Sequence, residues 1–156
     1  MPIKSFRGKI GDGEQQTISL HTNNGSIGYK IKKFQIMIVQ IGNANEEHVV
    51  KICSVPQNTV NPIPTSGATV DFSDNTLLAV AQSSSNSDAK FYPEDYHVVF
   101  DNVTFNQDIY ITHTDNESNA DVNYYIELEQ IKLSLDENTV ATLKDIRNIV
   151  SQWANN

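Results

Sequence analysis

The run "VNYYIELEQIKL" at residues 122–133 alternates with a period of two: Ile126 and Leu128 fall on one side, Glu127 and Glu129 on the other. Successive side chains of a strand point to opposite faces, so this is a strand with one buried and one wet face. That pattern belongs to antiparallel sheets, and it commits the chain to finding a second apolar layer to cover the buried face.

Other segments repeat the signal. "IKSFRGKI" near the start reads as a short strand ended by the "GDG" turn, and "QQTISLHT" places Ile18 and Leu20 on one side. Asn23–Ser26, "NNGS", is a tight turn, because Asn-Gly readily takes positive φ. In "GYKIKKFQIMIVQI" Tyr29 and Ile31 alternate with Lys30 and Lys32. The phase then slips at Lys33, and Phe34, Ile36 and Ile38 take over. A one-residue slip predicts a β-bulge or a bend between two sheets. Beyond it Met37 and Val39 are apolar as well, which predicts a central strand covered on both faces. "HVVKICSV", "YHVVFD" and "DIYITHT" add further strands, and "TVDF" a short one. In "SDNTLLAVAQSSS" Leu77, Leu78, Val80 and Ala81 fit a short helix capped by Ser73 or Asp74 as well as a strand; the favoured reading is a strand, or an irregular turn followed by one. The proline-bearing stretch 56–68 is a loop or an edge segment in polyproline geometry, and the polar stretch 83–95 reads as a loop.

About eight to ten strands at regular spacing predict an all-β fold: an antiparallel β-sandwich, jelly-roll-like. Composition agrees, since only 19% of residues are charged while Asn, Ser, Thr and Gln crowd the gaps between apolar runs. The expected domain covers residues 1–133.

From Leu135 onward the period changes. Val140, Leu143, Ile146, Val150 and Trp153 are spaced 3, 3, 4 and 3, a helical stripe. Ser134 and Glu137 have capping-box spacing, and Asp136 is an equally good N-cap. This amphipathic helix, 134–156, is expected either to pack on its own domain or to form an oligomer interface. A short isolated helix needs a partner surface in either case.

The net charge of −8 disfavours nucleic acid, whose binding needs basic contacts to phosphate. Lys4, Arg7, Lys9, Lys30, Lys32 and Lys33 cluster early and read as a solvated strand face. No apolar stretch suits a membrane span, and the helix lacks the basic face of a membrane-surface helix. The opening "MPIKSFRGKI" carries no signal-peptide core, and the single cysteine, Cys53, sits in an apolar run as a small buried hydrophobe. The chain therefore reads as made in a reducing cytoplasm.

Catalytic motifs such as GxSxG, the P-loop, HExxH and CxxC do not occur. His21, His48, His97 and His113 are far apart; His97 and His113 lie in neighbouring expected strands and could meet across a sheet, but a zinc set of three or four ligands cannot be assembled. "DFSDN" and "DNESNAD" offer clustered oxygens that Asx turns explain without calcium. Phe91, Tyr92, Tyr96, Tyr124 and Tyr125 are candidates for a sugar platform, with one of Tyr124 and Tyr125 facing the core. The expectation is no catalytic residue, no cofactor and no metal.

"IKSFRG", "DFSDNTLLA", "NQDIYITH" at 106–113 and "NYYIELEQIKL" followed by "TVATLKDIRN" resemble a group of small proteins encoded by marine bacteriophages, and the likeness runs through nearly the whole chain. The resemblance implies a non-enzymatic virion structural protein made in the host cytoplasm: a capsid decoration or cement protein that binds and stabilises the shell. The alternative is a tail- or fibre-associated component, or a module binding host glycans or receptors through loops such as 82–96 and 114–121. The implied partners are the major capsid protein or other virion proteins, with self-association into a homo-oligomer.

Overall fold

The computed structural model describes residues 2–22, 25–40, 45–57, 69–85, 94–100, 103–117, 119–134, 136–137 and 139–143. Eight strands are described: β1 Ile3–Ile10, β2 Gln15–Ile18, β3 Ile27–Ile38, β4 Glu46–Cys53, β5 Leu77–Ser85, β6 Glu94–Val99, β7 Ile109–Asp115 and β8 Val122–Lys132. They form two antiparallel sheets, one ordered β1-β8-β3 and the other β2-β7-β4-β5-β6.

The alternation along residues 122–133 sets the first sheet. β8 lies at its centre, and Val122, Tyr124, Ile126 and Leu128 point inward. β3 adds Tyr29 and Ile31, then Phe34 and Ile36, to the same side. The register shifts between Ile31, opposite Leu128, and Lys33, opposite Glu127, so Lys32 is the extra residue of a bulge. The phase slip in the sequence is this bulge. The second sheet supplies Ile18, Val50, Ile52, Ala79, Ala81, Ile109 and Ile111, and the two inner faces share one apolar core. Tyr29 and Phe105 pair through reciprocal backbone hydrogen bonds and stack their rings within that core.

Two expectations are corrected. β3 borders its sheet and is not central; Met37 and Val39 are exposed, so apolar residues on both faces did not signal burial. "TVDF" is not a strand: Asp71 accepts hydrogen bonds from the Ser73 N–H and hydroxyl, and Asp74 does the same for Thr76. Two successive Asx turns use the backbone there before β5 begins.

The early basic cluster is resolved by register. β1 and β3 flank the glutamates of β8, where Lys32 meets Glu129 at 3.0 Å and Lys33 meets Glu127 at 4.0 Å. Lys9 reaches Asp121 at 3.7 Å. The outer face of this sheet is thus a mixed-charge surface whose exposed pairs each contribute well under about 1 kcal/mol.

Candidate functional site

After β8 the chain turns into a short helix with helical residues 136, 137 and 139–143. Ser134 caps it: its hydroxyl accepts the Glu137 N–H at 3.3 Å and donates to the Glu137 carboxylate at 2.8 Å. Half of the expected capping box is in place: Ser134 rather than Asp136 is the cap, and the Glu137 carboxylate meets the Ser134 hydroxyl instead of its backbone N–H.

The helix is fastened to the domain by its polar side. The buried Asn106 amide donates to Thr142 Oγ1 at 2.8 Å and to the Gly25 carbonyl at 3.2 Å. Ala141 and Thr142 are half-buried. Val140 and Leu143, three residues apart and therefore on one face, are 67% and 59% exposed. At about 100° per residue this ridge lies opposite the Ala141–Thr142 side. Ile131 and Leu133 of the domain, together with Lys30, Asp136, Glu137 and Val140, wall a groove of about 540 Å³ beside it. Ile146, Val150 and Trp153, the remaining members of the expected stripe, lie outside the described residues.

A second constellation was not legible in the sequence. At one end of the five-stranded sheet, β4 and β7 place His48 opposite Asp115, with Glu46 and His113 beside them on the same inner face. All four side chains are buried. His48 Nδ1 lies 2.8 Å from His113 Nε2, and His48 Nε2 lies 3.5 Å from Glu46 Oε1. Burial holds His113 below the usual imidazole range and its neighbour His48 adds to this, against the pull of the Gly11 carbonyl, Asp12 and Asp115. Asp115 organises the surrounding chain, accepting the N–H groups of Glu47, Glu117 and Ala120 while its own N–H donates to Asp12.

The expected meeting of His97 with His113 does not occur. β6 lies at the far edge of the sheet from β7, and His97 Nε2 instead accepts the Ile36 N–H at 3.3 Å. His97 lines an open groove of about 710 Å³ with Arg7, Gln35, Asp95, Asn123 and Tyr125. Tyr124 faces the core and donates to Gln16 at 2.7 Å, so the alternation at Tyr124 and Tyr125 is as expected. Tyr96 is exposed, and Phe91 and Tyr92 lie outside the described residues. Of the expected loop 82–96, residues 82–85 and 94–96 belong to the paired strands β5 and β6. Cys53 is buried, and burial pushes its thiol up to about 12, which keeps it protonated. No helix of the described residues is long and apolar enough to cross a membrane.

Comparison with protein-family models, curated proteins and solved structures gives no significant match.

Proposed function

We propose that this chain is a non-enzymatic virion structural protein, a capsid decoration or cement protein, that acts through contact area. The observation that carries the reading is the orientation of the closing helix. Its polar residue Thr142 is bonded to the domain, while Val140 and Leu143 face outward. A helix that served only to cover its own core would turn that ridge inward. In this reading the ridge joins copies of the chain, and the oligomer seats on the shell. Many modest contacts engaged together then oppose the outward pressure of packaged genome.

Strand order supports the fold that this role implies. A jelly roll is a long folded hairpin in which strand 1 pairs with 8, 2 with 7, 3 with 6 and 4 with 5. Here β1 pairs β8, β2 pairs β7 and β4 pairs β5. β6 pairs with β5 and touches β3 through the His97–Ile36 bond. The proposed architecture is a jelly-roll-like β-sandwich, a fold widely used in viral shells.

Cryo-EM of particles from cells that make this chain tests the assignment. Density for the two-sheet domain on the outer shell, with the helix at a copy-to-copy contact, is expected. Particles that lack the chain would overturn the reading.

A second reading draws on the groove at Arg7, Asp95, His97 and Tyr125, whose mixture of charge and aromatic surface suits a sugar. It makes the chain a tail- or fibre-associated module that binds host glycans or receptors. Binding of the isolated protein to a glycan array, abolished by Tyr125→Ala, would favour it over the shell assignment.

A further inference from the structure

We propose that Glu46, His48 and Asp115 bind a divalent transition-metal ion of the zinc class, held as a structural clamp at the end of the β4–β7 pair. One donor atom from each residue lies within 4.8 Å of the other two. The three side chains are 2%, 0% and 4% exposed. Glu46 Oε2 and His48 Nε2 are both sealed from solvent and without a hydrogen-bond partner among the described residues. A buried carboxylate beside a buried ring nitrogen, each with an unused lone pair, calls for a cation between them.

The hydrogen-bond pattern bears on which cation fits. His48 Nδ1 and His113 Nε2 share one hydrogen bond across 2.8 Å, so one ring donates and the other accepts. With His48 as the donor, its Nε2 is the lone pair beside Glu46 Oε1, 3.5 Å away. That separation is long for a hydrogen bond through a proton. It is close to the edge of a tetrahedral metal site, since two ligands about 2.0–2.1 Å from the ion stand about 3.3–3.4 Å apart. The His48–His113 bond is also the arrangement expected around a metal, where the ligating histidine gives its other N–H to a neighbour that fixes its tautomer and orientation.

One nitrogen and two carboxylates suit zinc or cobalt(II) better than calcium, which prefers an all-oxygen shell. Asp115 supplies the third donor, a carboxylate oxygen at the end of β7. Its position at the start of the β7–β8 connection would tie that loop to β4.

The test begins with full-length protein stripped by chelator, then titrated with ZnCl2 by calorimetry and with CoCl2 by visible absorption. The expected result is one high-affinity equivalent, a thermal midpoint that rises on saturation, and an intense tetrahedral cobalt band. Glu46→Gln should weaken zinc binding by about tenfold or more, and His113→Gln by about tenfold through loss of orientation. His21→Ala, at an exposed histidine elsewhere, should leave the zinc affinity and the cobalt band unchanged. If either variant fails to fold by circular dichroism, the cobalt spectrum of the unaltered protein decides alone. Absence of a tetrahedral band, or equal zinc affinity in Glu46→Gln and the parent, would overturn the proposal.

Discussion

Thr142 Oγ1 accepts a hydrogen bond from the buried Asn106 amide at 2.8 Å, on the side of the closing helix opposite the exposed Val140 and Leu143. The polar side of an amphipathic helix faces inward here. A partly buried bond of this kind contributes about 1 kcal/mol net. Thr142→Ala should therefore speed hydrogen exchange at residues 139–143 about fivefold while leaving β8 amides unchanged. Unchanged helix exchange would mean that other contacts hold it.

The bulge at Lys32 makes a prediction about deletions. Removing Lys32 itself leaves Ile31 opposite Leu128 and Lys33 opposite Glu127, so every inward side chain stays inward. The cost should be small, about 1 kcal/mol or less, arising from the lost bulge and the exposed Lys32–Glu129 pair. Removing Gln35 forces either Phe34 or Ile36 to the wrong face. That deletion should cost about 3–5 kcal/mol, as for loss of a large core side chain. Urea denaturation of the two deletion variants measures the difference.

Asp108 joins the segment after β2 to the entry of β7. Burial opposes its charge, but hydrogen bonds from the His21 ring and from the His21 and Leu20 N–H groups outweigh it and hold its carboxyl below the usual range. A depressed folded-state value means the unfolded chain binds more protons as pH falls. The stabilisation is thus fully present above the ordinary carboxylate value of about 3.9 and is lost as pH drops through the lower folded value. Thermal melts from pH 6 to pH 2 should show Asp108→Asn less stable than the parent at pH 6, with the two curves converging at the acid end. A constant gap across that window would remove the carboxylate from the explanation.

Much of this architecture was legible because it rests on periodicity. The alternation in β8, the slip at Lys33 and the turn before β5 are local, and each appears in the structure. What was not legible depends on which strands become neighbours. β4 and β7 are separated by 55 residues between Cys53 and Ile109, yet they pair and bring His48 to His113. His97 and His113 are closer along the chain but lie in strands separated by two others. The helix stripe was legible as a stripe. Its direction was not, because that is set by Asn106, a polar residue buried in the domain whose partner gives no periodic signal.

The central claim is that the outward ridge of Val140 and Leu143 joins copies of this chain. Light scattering coupled to size exclusion tests it most directly on purified protein, comparing the parent with Val140→Asp/Leu143→Asp. The account predicts a discrete oligomer for the parent and a monomer for the double variant, with the same β-sheet circular dichroism for both. Equal assembly of the two proteins, or loss of the β-sheet signal in the variant, would contradict it.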